Sequence, residues 1–303
     1  MNKSNKKISF KQFIYRYGED YLFLLPFFVL FTAFTIVPVL ISIYYSFTYF
    51  NVLEPARWVG VNNYFQLFLD DSLFITTLKN TLLLSVITGP AGFVLSLVLS
   101  WLLNEFGRGI RTTLTLVMYA PAMAGGAVVI WQLIYSGDAY GLLNGFLIAT
   151  GFINEPIQWL TDTEYMLPAA IVTILWVSLG TSFLSMISGL QNVDRTLYEA
   201  GAIDGIRNRW QELWYITLPS MKPQLMFSAV MSITNSFGMG DQISTIFGFP
   251  SSNYALHTMI HHLQDYGSTR FEMGYASAIA TILFIIMIGS NQLVQKLLRR
   301  WGV

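Results

Sequence analysis

The sequence predicts an all-α fold: a polytopic membrane protein with six transmembrane helices and one helical loop on the cytoplasmic side. Three observations predict it. Apolar residues make up 54% of the chain and charged residues only 11%, against about 25% charged in soluble domains, and the mean hydropathy is +0.52. Six long stretches are almost free of charge. Lysine and arginine, finally, are concentrated in alternate connecting segments.

A helix needs roughly 20 mostly apolar residues to cross about 30 Å of hydrocarbon. The stretches that qualify are Tyr21–Phe47, Asn80–Leu103, Thr112–Tyr135, Met166–Leu190, Gln224–Gly248 and Met273–Gln295. The first follows a lysine-rich start, as a secretory signal would. It is too long for one, and no small-residue cleavage site precedes Phe50, so it reads as a retained span. The fifth is the weakest, because Asp241 interrupts it. The chain thus divides into a cytoplasmic segment, 1–20, and a six-span domain, 21–303.

Helix breakers lie inside several spans: Pro26 and Pro38 in the first, Gly89-Pro90 in the second, Pro121 and Gly125-Gly126 in the third. Proline removes a backbone donor, which lipid tolerates where neighbouring helices satisfy the freed groups. Two readings stay open: the ordinary frequency of Gly and Pro in membrane helices, or a bundle that must bend to open.

With the N-terminus inside, the inner segments hold Lys3, Lys6, Lys7, Lys11, Arg16, Arg108, Arg111, Arg195, Arg207, Arg209, Lys222, Lys296, Arg299 and Arg300. The outer ones hold Arg57, Lys79 and Arg270. This is a strong positive-inside bias and puts both termini in the cytoplasm. The formal net charge is zero and cysteine is absent. The balance suggests no nucleic-acid partner, and the absence excludes disulfides, thiolate metal sites and cysteine nucleophiles.

One inner loop, about 191–222, is charged and punctuated by glycine. Asp194 is an expected N-cap, a helix follows to Asp204, and Gly205 suits the left-handed position after a helix C-terminus. Ala200 and Gly201 are expected to present a face almost without side chains, which a partner's backbone can approach. Trp210, Leu213, Trp214 and Thr217 are expected to share one face lying against the bundle.

"EAGAIDG" followed by "ITLP" resembles the cytoplasmic EAA loop of ABC importer membrane subunits, written EAA-x3-G-x9-I-x-LP. Glu199, Ala200, Gly205, Ile216, Leu218 and Pro219 match; Gly201 replaces the second alanine, and ten residues, not nine, separate Gly205 from Ile216. The extra residue predicts a rotation or bulge near Arg207-Asn208. "YAPAMAGGAVVIWQLIYSGDAYGLLNGFL", "WVSLGTSFLSMISGLQNV" and "MGYASAIATILFIIM" are similar to spans three, four and six of carbohydrate-uptake ABC permeases. The resemblance implies a six-span subunit in the bacterial plasma membrane, paired with a second permease. A cytoplasmic ATPase dimer would push on Glu199, Ala200, Gly201, Asp204 and Gly205, and an extracytoplasmic solute-binding protein would deliver a sugar or oligosaccharide.

Absences agree with a subunit that is not itself an enzyme. No G-x-x-x-x-G-K-[ST] phosphate loop and no H-E-x-x-H occurs, so no cofactor is expected in this chain, ATP and magnesium belonging to the separate ATPase. His257 and His261, four apart, with His262 adjacent, are read as an outer-surface helix in preference to a metal site. An ion-coupled transporter tends to carry buried ionisable groups in several spans; Asp241 is the only obvious one here. In the fifth span Asn235 and Gln242 lie seven apart and share a face, with Asp241 about 100° round. Asn235, Phe237, Asp241 and Gln242 are therefore the expected lining of a solute path.

Overall fold

In the computed structural model, residues 10–124 and 126–300 are described. Lys3, Lys6 and Lys7 of the N-terminal segment, and Gly125, lie outside them. Six helical stretches stand where six spans were expected, three unbroken and three broken. α1 (Phe10–Phe31) and α2 (Val37–Tyr45) are joined by a π-helical turn, Thr32–Ile36, directly before Pro38. A two-stranded hairpin follows, β1 (Thr48–Tyr49) against β2 (Arg57–Trp58), with Thr48 opposite Trp58; this small outer sheet is an addition to the all-helical expectation. After the short α3 (Asn62–Phe65), α4 (Ser72–Asn104) runs uninterrupted through Pro90. It starts about two turns before the predicted span because Asp71, not Lys79, sets its beginning: the Asp71 carboxylate accepts the Phe74 N–H at 2.9 Å.

The third span is α5 (Arg108–Met123), a 3-10 turn at Ala127–Val129 and α6 (Ile130–Ile134), with a 93° bend between the two arms. α7 (Leu142–Ala149) lies in the outer loop. That loop is organised by buried Asn144, whose amide donates to the carbonyls of Ser136 and Ile157 while its Oδ1 accepts from Trp159 Nε1 at 2.8 Å. The fourth span is α8 (Thr163–Val177) and α9 (Thr181–Gln191), bent by 44°. Between the fourth and fifth spans come α10 (Arg195–Ile203), α11 (Arg209–Glu212) and α12 (Leu218–Ser220). α13 (Lys222–Phe237) and α14 (Gly240–Phe247) occupy the place of the fifth span, α15 (Met259–Gln264) is an outer helix, and α16 (Met273–Arg300) is the sixth span.

Among the described residues, three helices are long and apolar enough to cross a membrane unbroken, and the two bent pairs raise the number to five. α13 and α14, of 16 and 8 residues, stand outside that count. The breaks fall after Met123, at 178–180 and at 238–239, not at Pro90 or Pro121.

α4 packs along α13, α9 and α8. Its contact side is a seam of small residues, Thr77, Thr81, Ser85, Thr88, Gly89, Gly92, Ser96 and Ser100, all buried. Their three- and four-residue spacing keeps one face along the helix, and small side chains let backbones approach closely in lipid. Thr81, Ser85 and Thr88 each donate to the carbonyl four residues back, at 2.6 to 2.8 Å. α9 and α13 are joined differently. Ser182 donates to the Ser228 carbonyl, Ser228 to the Ser182 carbonyl, and Ser232 to the Ser182 hydroxyl, at 3.0 to 3.2 Å.

The outer histidines differ from the expectation of a surface helix. His257, His261 and His262 are all buried. His261 Nδ1 accepts the Thr258 N–H, and its Nε2 donates to the Gly240 carbonyl at 2.9 Å. His262 Nε2 meets Asp71 at 2.8 Å, and Tyr275 donates to the same carboxylate oxygen at 2.9 Å. Among the described residues no cluster has the make-up of a metal site. α15 is a strut joining the starts of α4, α14 and α16.

Candidate functional site

The charged loop between α9 and α13 is held at both ends by local chemistry. Asp194 adopts extended backbone geometry and its carboxylate accepts the Thr196 N–H at 3.0 Å; that bond also holds its pKa below the usual carboxylate value. At the far end the Ile206 N–H bonds the Gly201 carbonyl at 2.9 Å and the Gly205 N–H reaches the Ala202 carbonyl, a Schellman closure. It requires the left-handed φ of +95° found at Gly205. The expected capped helix is therefore present, with Asp204 exposed as its C-terminal cap.

Its faces are assigned differently from the sequence reading. Gly201 does not join Ala200 on an open face: it is buried, and a β-carbon there would lie 2.6 Å from Ile216 Cδ1 and 3.0 Å from Ile206 Cδ1. The missing side chain admits the chain's own isoleucines. What faces outward is Ala200 with Leu197 and Ile203, the last 88% exposed. Glu199 is exposed on the rim of a polar cavity of about 520 Å³ that also takes in Glu105, Arg111, Arg195 and Arg209.

The second segment is also corrected. Leu213 and Thr217 are buried with Ile216 and Leu218, but Trp210 and Trp214 are more than half exposed, and Pro219 is exposed. The four predicted contact residues do not share a face because Leu213–Thr217 is a π-helical turn, which takes one more residue per turn than an α-helix. The one-residue excess between Gly205 and Ile216 coincides with this turn, several residues after the expected Arg207-Asn208. Asn208 instead caps α11, accepting the Gln211 N–H at 2.9 Å. Tyr198 and Thr217 hydroxyls, 2.9 Å apart, fasten α10 to the π turn. Arg209 bridges Glu212 at 2.7 Å and Glu105, at the end of α4, at 2.8 Å; both carboxylates raise its pKa.

The four expected path residues are separated. Asn235 and Gln242 line one cavity of about 520 Å³ with Tyr119, Ser178, Thr181 and Thr234. Phe237 is buried in the core against Phe74, Tyr275 and Ile279. Asp241 is exposed and accepts from Gln264 Nε2 at 3.0 Å. The break at Gly238-Met239 explains the split, since continuing the α13 register through it misplaces α14. Tyr119 on α5 and Thr181 on α9 join the cavity because the breaks of their spans meet there; no single-helix periodicity reveals them.

A bundle of broken membrane helices around a cavity with neutral polar groups in its wall, with one rigidly capped helix in the charged loop, defines a membrane transport subunit. The chain belongs to the family described as binding-protein-dependent transport system inner membrane component, which matches residues 89–303. It is 30% identical over 273 residues to the probable ABC transporter permease protein YesP of Bacillus subtilis, covering 88% of this chain and 86% of the relative. It is 28% identical to the lactose transport system permease protein LacF of Rhizobium radiobacter, covering 89% of each. The fold also matches a chain of a bacterial ABC transporter involved in the import of the acidic polysaccharide alginate, with a TM-score of 0.77 at 23% identity, over 95% of this chain and 97% of that one.

Proposed function

We propose that this chain is the permease subunit of an ATP-driven importer for a sugar or oligosaccharide. It pairs with a second permease, takes solute from an extracytoplasmic binding protein, and is driven by a cytoplasmic pair of ATPases that hold ATP and magnesium. It needs no cofactor of its own, and both termini are cytoplasmic. The lactose permease likeness and a cavity that sets neutral hydroxyls and amides among apolar side chains support a sugar-like solute; Asn235 and Gln242 lie in its path.

The observation that carries the reading is Ile203. It is 88% exposed on a helix capped at both ends, beside Leu197 and Ala200. An apolar side chain presented on a rigid cytoplasmic helix suits a docking lever, and the ties of α10 and α11 to the π turn and to Glu105 would carry a push into α4. An ion-coupled mechanism loses its candidate group, since Asp241 is exposed and paired with Gln264.

The chain has no cysteine, so Ile203→Cys can carry a photo-crosslinker in the assembled complex. Crosslinking to an ATPase subunit, identified by mass spectrometry, is expected, as is at least a tenfold loss of uptake in Ile203→Asp. Full uptake by Ile203→Asp together with no protein crosslink would sink the proposal.

A further inference from the structure

We infer that the solute accepted by the Asn235–Gln242 cavity is uncharged, its hydroxyls read by neutral amides and hydroxyls, and that oligosaccharides carrying carboxylates are rejected. This rests on the reading above that the cavity lies in the solute path. Among the similar proteins one is named for lactose and others for acidic solutes, an acidic polysaccharide and a polygalacturonan, so charge class is a property this chain's own residues must decide.

The polar groups lining the cavity are the Tyr119, Ser178, Thr181 and Thr234 hydroxyls and the Asn235 and Gln242 amides; the rest of the wall is apolar or glycine. Among the described residues no lysine, arginine, aspartate or glutamate lines it. Hydroxyls and amides both donate and accept, which matches a ligand whose own hydroxyls do both. Gln242 Oε1 is buried with no hydrogen-bond partner among the described residues. A buried unpaired acceptor is costly, and a sugar hydroxyl is the donor that would satisfy it.

A carboxylate entering this cavity would lose its water without meeting a cation, and an ionised group with no counter-charge is the least tolerated occupant of a low-dielectric site. The segments of this chain that form the wall supply none: the sequence holds no lysine or arginine from 112 to 194 or from 223 to 269, and these segments include every lining residue except Met287. The entrance repels anions as well. Asp241 sits beside Gln242 on the exposed side of α14, and the outer segments 49–79, 136–165 and 249–272 carry nine carboxylates against three lysine or arginine side chains.

The test uses the complete transporter in nanodiscs, without its binding protein, and equilibrium dialysis of labelled trisaccharides. The probes are maltotriose, xylotriose and galactotriose, with trigalacturonate and an alginate trimer as acidic counterparts. At least one neutral probe is expected to bind tenfold or more tightly than either acidic one. Gln242→Lys should narrow that ratio at least tenfold, and Gln242→Ala should weaken neutral binding. An acidic probe bound as tightly as the neutral ones, or an unchanged ratio in Gln242→Lys, overturns the charge rule. No binding by any probe, or wild-type neutral binding by Gln242→Ala, overturns the cavity reading itself and the inference with it.

Discussion

Gly201 and Ile216 interlock: the isoleucine Cδ1 fills the place a β-carbon on residue 201 would need, 2.6 Å from it. This contact fixes how far α10 stands from the π turn behind it. Because the opposing atom is the end of a side chain that can turn, Gly201→Ala should keep near-normal uptake. Gly201→Phe should push α10 outward and lower uptake severalfold at normal membrane abundance. Solute uptake against immunoblotted subunit, measured for both variants, checks the contrast.

Gly205 holds φ at +95°, where a β-branched residue is strained by about 1–3 kcal/mol. Gly205→Val is therefore expected to unravel the Schellman closure, lowering uptake and its coupling to ATP hydrolysis while the subunit still inserts. Gly205→Asn, which tolerates this region better, should recover part of the activity. Wild-type coupling in Gly205→Val would remove the closure from the mechanism.

Asn235→Ala and Gln242→Ala should each reduce uptake at limiting solute several-fold. Asp241→Ala should change it little, since Asp241 faces away towards Gln264. Phe237→Ala empties a core position and is expected to lower abundance by destabilising the fold, typically by 3–5 kcal/mol. Initial rates normalised to membrane abundance separate these three behaviours.

Tyr140, between α6 and α7, and Ile203, on α10, are both almost fully exposed. An impermeant thiol reagent added to intact cells should label Tyr140→Cys and leave Ile203→Cys unlabelled until the membrane is opened. The reverse pattern would invert the orientation.

Burial pushes the His257 pKa down to about 4, with His261 and His262 adding to the effect. An unfolded histidine titrates near 6.5. Between those values the unfolded chain takes up a proton that the folded chain refuses, so stability is full above about 6.5 and declines towards 4. The apparent melting temperature of the purified complex should fall by several degrees from pH 7.5 to 5. His257→Phe, which keeps a ring between Phe249 and His261, should flatten that dependence.

The spans were legible because a chain in lipid must be apolar over a fixed length, and the capped helix was legible because Asp194 and Gly205 have local jobs. Less local features were not. Whether Gly201 opens outward or receives Ile216 depends on a residue fifteen positions away. The π turn obeys no side-chain rule, and the partner of His262 is Asp71, 191 residues away in sequence. Helical spacing groups Asn235 and Gln242, which do line one cavity, but it also groups Phe237 and Asp241, which lie elsewhere, because it assumes one unbroken helix.

The hydroxyls along α4 have a mechanical consequence. Most are satisfied by α4's own carbonyls, so little polar bonding ties that helix to α9 and α13, and the crossing bonds from Ser85 and Ser100 are long at 3.3 Å. Its short ties, through Asp71, Asn80 and Thr81, run instead to α15, the segment before it and α16. α9 and α13, stitched by Ser182, Ser228 and Ser232, form a single plate. The seam of α4 is then a slip plane, and under the proposed coupling a stroke delivered through Arg209 to Glu105 would shear α4 along that plate without first rupturing hydrogen bonds between the two.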